Sequence, residues 1–461
     1  MSQLVLGIDS STQSCKAVLV DASTGRIVDE ARAAHPAGTQ INPRLWIEAM
    51  LRATGQLINQ ADAVAVGGQQ HGMVVLDEHN QVIRDAMLWN DTSSATQAEE
   101  IVDKLGGPQA CADRIGSVMV ASLTGSKLAW LKENEPDNAA RVAKVMLPHD
   151  YLNFDLTGRK TLVTDHGDAS GTGYYNTRTR EYDRELLEMY LGHDAELPEL
   201  AAPNQPIGQT RSGALVGPGT GDNMAASLGL DLQPGDVCIS IGTSGVASTV
   251  STASVHDGTG MVTGFADATG RYLPLACTLN GAKVLDFAAR ILNVDHNGLS
   301  ALALEGEPGA HGVSLLPYFD GERTPNRPDA TGVFRGLNTD TSREDIARAT
   351  VEGILCSMRD AMVALEDATK QETNRVLLIG GGARSEAIRR IAPAIFGVDV
   401  LVPEPGEYVA MGAARQAAWV LSGQALPPAW ATQGTPKHYE ADPDTDTVAR
   451  YEELRDKTEG W

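Results

Sequence analysis

The sequence predicts an α/β protein built from two related domains with a cleft between them. Three observations carry this prediction. A strand, a small polar turn and a second strand are written twice, as LVLGIDSSTQSCKAVLVD at residues 4–21 and DVCISIGTSGVASTVS at residues 236–251, and both turns are rich in Ser, Thr or Gly. After each opening, further strand signals alternate with helical patterns, as α/β layers require. The chain is also 461 residues long, more than one hydrophobic core serves.

In the first half, residues 51–61, 92–105 and 127–135 have helical composition, and residues 64–66 read as a buried strand. In the second half, helices are expected at 282–292, 342–368 and 385–396, and a strand at 376–379. The domains are placed at residues 1–232 and 233–461. The tail after Ala425 is expected to pack back as a final helix or to stay loose.

Charge narrows the function. The formal net charge is −23 with acids and bases mixed along the chain, which repels nucleic acid and anionic membrane. A nucleotide site in such a protein needs backbone N–H groups, helix N-termini and a cation to offset that field. The five cysteines (Cys15, Cys111, Cys238, Cys277 and Cys356) are scattered and form no Cys-x-x-Cys pair. Reduced, buried thiols are the expectation, Cys15 beside the first turn included. No basic leader precedes the first strand, and no apolar run approaches the ~20 residues that span a bilayer. A cytoplasmic protein is expected.

Five segments could carry chemistry. The turn at residues 9–12 sets Asp9 and the hydroxyls of Ser10, Ser11 and Thr12 at a strand end, with Lys16 close behind. Such a turn can hold a metal's water shell and phosphate oxygens, although a plain polar hairpin has the same letters. Gly242, Thr243 and Ser244 form the matching turn of the second half. Gly380, Gly381 and Gly382, followed by Ala383, lie between strand and helix, where a ligand can approach the backbone. Neither the Gly-x-Gly-x-x-Gly spacing nor a Walker lysine is present. Asp222 follows Gly219-Thr-Gly221, so a substrate can come close to its carboxylate; a helix N-cap is the plainer alternative. Gln70 and His71 stand among glycines after a strand and offer the mixed donors and acceptors that a polyhydroxy ligand needs.

Taken in order, these segments resemble the FGGY carbohydrate kinases. GIDSSTQSCK (residues 7–16) resembles the family's first phosphate loop. SLTGSKLAWLKEN (122–134) and GVFRGL with DIARATVE (332–352) resemble its two fingerprints. GDN (221–223) resembles the segment with the catalytic aspartate, and GGGARS (380–385) the adenosine-side loop.

The resemblance implies two actin-like, hexokinase-type (ribonuclease H-like) ATPase domains around a central cleft, with sugar binding and Asp222 in the first domain and ATP binding in the second. It implies ATP and Mg²⁺, with Asp9 and Asp222 at the metal. Phosphates would lie between Thr12, Lys16 and the Gly242–Ser244 turn, and adenosine near Gly381, Gly382 and Ala383. Gln70, His71, Asp222 and Asn223 would hold the sugar, with Asp222 as general base. The segments GGQQHG, LWND, LPHDYL, SIGTSG and LPYFDGERTP look most like those of the family's kinases for D-xylulose. The alternatives are a sister kinase for another ketose, a polyol or a sugar acid (ribulose, glycerol, gluconate), and a non-catalytic sugar sensor. Partners are expected to be the sugar and ATP, without nucleic acid or membrane, and the assembly a homodimer.

Overall fold

A computed structural model describes residues 2–430 and 434–460. Strand Leu4–Ser10 pairs antiparallel with Ser14–Asp21 and parallel with Ala63–Gly68. Ser14–Asp21 continues antiparallel into Ile27–Ala34, and Leu215–Val216 extends the other side in parallel. The second half repeats the plan. Asp236–Ile241 pairs antiparallel with Gly245–Thr249 and parallel with Arg375–Ile379. Tyr272–Thr278 continues one side antiparallel, and Val400–Val402 extends the other in parallel. The two halves are thus one topology used twice, as the repeated strand–turn–strand openings predict.

The first strand is an unbroken apolar run because both its faces are covered. Leu6 and Ile8 pack with Trp46, Ala49 and Met50 of helix Arg44–Thr54. Val5 packs with Val18, Val20, Ala63 and Ala65 against Ala410, Ala414 and Ala417. These alanines belong to helix Tyr408–Ser422, which comes from the far end of the chain and lies on the first sheet. Its sequence, YVAMGAARQAAWVLS, suits that place: alanine favours helix, and its small side chain lets backbone meet backbone. The contact is tight enough to demand glycine. A Cβ on Gly7 would lie 1.9 Å from the Ala410 carbonyl oxygen, and one on Gly412 would lie 1.7 Å from that of Ala225. Ala225 sits on helix Asp222–Gly229, whose Met224 and Leu228 face the second sheet at Leu273, Leu275 and Leu377. Two short-side-chain helices therefore fill the space between the sheets.

The opposite face of the second sheet packs on the long helix Arg343–Thr369 through Val351, Ile354 and Met358. Ser342 caps this helix, with its hydroxyl accepting the Asp345 N–H at 3.1 Å. Glu352, in the segment that resembles the second fingerprint, is 3% exposed and receives Arg348 Nε and the Gly309 N–H. Its work here is structural.

Most expected helices lie within a few residues of the observed ones, and Ala282–Leu292 coincides. The exception is 51–61. The helix runs from Arg44 to Thr54, started by Pro43, and a 3-10 turn at Leu57–Asn59 comes after it. The tail ends in helix Thr445–Lys457, whose Val448, Tyr451 and Leu454 join the second half's core. No described helix is long and apolar enough to cross a membrane.

Substituting Gly412→Ala should cost about 3 kcal/mol or more, because the new methyl meets backbone that cannot yield. The expected result is a clear fall in the thermal unfolding midpoint. An unchanged midpoint would show that the seam relaxes.

Candidate active site

The strand register assembles the site. Asp9 stands at the end of the first strand, opposite Lys16 on the hairpin and beside Gly67 on the parallel neighbour. Ser240 pairs with Ile379 at the corresponding end of the second sheet. The carboxyl ends of both central strand pairs open into one cleft, the usual place for ligands in such sheets.

Three chambers lie along that cleft. The first, of about 460 Å³, is walled by Gly381, Ala383, Pro403, Glu404 and Tyr408. The second, of about 270 Å³, holds Asp9, Lys16, Asp222, Ser240 and Glu407. It shares Ser240, Ile379, Gly406 and Tyr408 with the first. The third, of about 300 Å³, holds Thr12, Gln70, His71, Trp89, Ser244 and Phe265. Asp222, Asn223 and Val246 form its boundary with the second.

Electrostatics in the middle chamber are strained. Asp9 is 3% exposed; burial raises its pKa, while the Ser11 hydroxyl and the Lys16 ammonium pull it down and Glu407 pushes it up again. Lys16 Nζ is hydrogen-bonded to Glu407 and lies 3.6 Å from Asp9 Oδ2. Asp222 is pushed up to about 7, first by burial and then by the facing charges of Asp9 and Asp168. It is not the helix N-cap. Gly221 takes that place and Asp222 is the first helical residue, with Oδ1 accepting the Asn223 N–H at 2.8 Å.

The turn that carries Asp222 is held from three sides. Gln416 accepts the Gly219 N–H at 2.9 Å and donates to the Gly219 carbonyl at 3.1 Å. Asn153 donates to the Pro218 carbonyl at 2.7 Å. Thr220 Oγ1 donates to Asp165 at 2.6 Å. Beneath lies the fully buried pair His149–Asp168, 2.5 Å apart. Burial lowers the His149 pKa, but Asp150 and Asp168 outweigh it and push it up to about 10, so the imidazolium balances the buried acids around it.

In the third chamber, Asn223 Nδ2 donates to Gln70 Oε1 at 2.8 Å, and Gln70 Nε2 is buried with no hydrogen-bond partner among the described residues. Burial, helped by the Lys127 and Arg323 charges, pushes His71 down to about 3 and keeps it neutral. Its ring lies 5.3 Å from that of Phe265. Trp89 is 47% exposed, and its indole donates to Thr12 Oγ1 at 2.9 Å. Lys127 is fully buried and caps the carbonyls of Ala121, Ser122 and Leu123, stiffening the wall that Ser122 and Leu123 present.

The structure thus brings together Asp9, Thr12, Lys16, Gln70, His71, Asp222, Asn223 and Ser244. Three of the expected contact residues lie off the chamber walls. Gly382 does not face the first chamber with Gly381 and Ala383: it is buried against Ile241, whose Cγ2 would lie 2.5 Å from an added Cβ. Gly242 and Thr243 point their carbonyls at the Ala282 and Gly281 amides and line neither the second nor the third chamber, leaving Ser244 to represent that turn. Sequence reading missed Glu407, which sits in a Pro- and Gly-rich loop. It assigned no role to Trp89 or Arg323, although LWND and GERTP were noticed.

Two sheets of one topology, closed around a cleft that separates a glycine-walled chamber from a polar one, define a two-domain kinase. The chain belongs to the FGGY family of carbohydrate kinases: the family's N-terminal domain matches residues 4–237 and its C-terminal domain residues 237–421. It is therefore a sugar kinase that uses ATP. It is similar to the xylulose kinases of Streptomyces coelicolor (45% identical, covering 91% of this chain and 89% of that protein) and Streptomyces rubiginosus (43%, covering 97% and 95%). The crystal structure of xylulose kinase from Bifidobacterium adolescentis superposes with a TM-score of 0.93 at 46% identity, covering 98% of this chain and 99% of that one.

The raised Asp222 pKa has a sign that can be measured. A carboxyl that keeps its proton to about pH 7 when folded favours the folded state in acid, and that contribution is lost as pH rises through about 7. In metal-free buffer, Asp222→Asn should be more stable than the parent at about pH 8, by on the order of 1 kcal/mol because the group is partly open to the cleft. The difference should vanish at about pH 4. Equal midpoints at both pH values would contradict the assignment.

Proposed function

We propose that the protein transfers the γ-phosphoryl group of ATP to D-xylulose, giving D-xylulose 5-phosphate, with Asp222 as general base. The observation that carries this reading is the order of the chambers: Asp222 and Asn223 lie on the wall between the chamber of Gln70 and His71 and the one of Asp9 and Lys16. Relatives 43–45% identical bear the name xylulose kinase, which supports the choice of sugar.

In this reading the nucleotide base lies by Gly381 and Ala383, and its phosphates reach Thr12, Lys16 and Ser244. The sugar is held by groups that neither gain nor lose charge. Neutral His71 can both donate and accept, and Gln70 Nε2 offers a buried donor to a hydroxyl oxygen. Asn223 fixes the Gln70 amide so that this donor faces the ligand. Asp222 takes the proton of the attacking hydroxyl, for which a pKa near neutrality is well suited. Asp9 and Asp222, two carboxyls whose charges oppose one another, fit a divalent cation. Mg²⁺ held there would neutralise phosphate charge. A boundary at residues 232/233 puts Asp222, Gln70, His71 and the first phosphate turn in the first domain, and the second phosphate turn and the adenosine loop in the second.

The test is ADP release with Mg-ATP in the presence of D-xylulose, D-ribulose, L-ribulose, glycerol or gluconate. Stimulation by D-xylulose above the others is expected. A different winner would reassign the third chamber and keep the chemistry, whereas no stimulation would favour a sensor. Asp222→Ala should lower kcat by about 10²–10⁴-fold. His71→Ala should chiefly raise KM for the sugar, since it removes a contact held throughout the reaction.

A further inference from the structure

Arg323 is the one lysine or arginine among the residues that line the chamber of Gln70 and His71. It comes from the second half, across the cleft from both. The other cations nearby are occupied: Lys16 by Glu407 and Asp9, and Lys127 by three carbonyls. The Arg323 guanidinium makes no ion pair or hydrogen bond with any described residue, whereas Arg327, four positions on, donates to the Arg455 carbonyl at 2.6 Å.

The adjacent carboxylate does not neutralise it. Glu322 is 1% exposed and is filled by backbone and amide donors: the Leu279 N–H at 2.5 Å, the Arg323 N–H at 2.7 Å and Asn280 Nδ2 at 2.9 Å. Glu322 thus clamps the backbone on which Arg323 stands. The clamp ties it to Leu279, next to Thr278, which pairs with Gly245 just beyond the Ser244 turn. The charge reaches the chamber, since it opposes protonation of His71 and draws down a Cys277 thiol that burial holds high.

An unpaired guanidinium on a clamped backbone matches a planar pair of anionic oxygens better than any other side chain does. A sugar brings no charge to this chamber, so the anion that meets Arg323 is the phosphoryl group itself. We infer that Arg323 reaches from the second domain to bind the phosphoryl group as it moves onto the sugar, and then holds the sugar phosphate. This inference rests on the kinase reading above. In the transfer, the sugar oxygen bonds to the γ-phosphorus while the bond from that phosphorus to the bridging oxygen breaks. The bridging oxygen leaves on ADP with the electron pair, and the hydroxyl proton passes to Asp222. Arg323 exchanges no proton.

The experiment compares the full-length protein with Arg323→Gln and Arg323→Lys. It measures kcat, KM for D-xylulose, and binding of D-xylulose 5-phosphate by calorimetry. In Arg323→Gln, kcat should fall by about 10²–10³-fold, with KM for the sugar within about threefold of the parent. Affinity for the sugar phosphate should fall by at least about tenfold. Arg323→Lys should recover only part of each loss, because a point charge cannot reproduce the fork. Unchanged kcat and product affinity would overturn the inference, and so would a rise in sugar KM alone. If Arg323→Gln fails to fold, Arg323→Lys decides by calorimetry: weaker sugar phosphate binding with unaltered sugar binding supports the role, and no change in either rejects it. A parent protein without sugar-dependent turnover would overturn the kinase reading as well, which separates the two failures.

Discussion

Asp222 stands where it does because of a residue 197 positions away from its turn in the chain. The Gln416 side chain takes both the N–H and the carbonyl of Gly219, as a paired strand would. Gln416 can do so because its helix lies backbone against backbone on the first sheet at Gly7 and on helix Asp222–Gly229 at Gly412. The same helix begins at Tyr408, which borders both the first and the middle chambers. One helix therefore sets the height of Asp222, closes one face of the first sheet and carries the wall shared by two chambers of the cleft. A site whose geometry must hold to a fraction of an ångström is better built on such an element than on loops.

The second organising feature is the management of negative charge. Asp9, Asp222 and Glu407 face one chamber in a protein whose net charge is already −23. Lys16 answers two of these acids at once. Below the chamber, burial pushes the carboxyl pKa values of Asp150, Asp165 and Asp168 up, and the charge of His149 pulls each of them down. In the chamber of Gln70 and His71, by contrast, the histidine is uncharged, the two amides are locked to one another, and Arg323 is the one lysine or arginine on the wall. Acidic groups are thus concentrated in the middle chamber, while the third sets Arg323 among mostly neutral donors and acceptors.

Much of this was legible in the sequence because it is local. The two hairpins, the glycines ahead of Asp222 and the long helix that begins after Ser342 are each written within a few residues. Pro43 is a local signal too, and passing over it shifts the expected first helix by seven residues at its start. What was not legible depends on distant segments meeting. Glu407 stands out because it reaches Lys16, 391 positions earlier, and Arg323 because no described residue pairs with its guanidinium. Gly382 illustrates the reverse case. Three glycines in a row suggest one ligand-facing loop, yet Gly382 is small for the sake of Ile241 in the neighbouring strand. A glycine reports that something comes close, not whether that something is ligand or protein.

The seam between Gly7 and Ala410 joins residues about 400 positions apart, and this has a consequence for synthesis. The family's N-terminal domain match ends at residue 237, but Val5, Val18, Val20, Ala63 and Ala65 are covered by a helix that ends at Ser422. At ribosomal speeds, the first sheet waits roughly 10–40 s with one apolar face open to solvent. A chain cut ahead of that helix would leave this apolar face uncovered, so the first sheet is completed only by the far end of the chain.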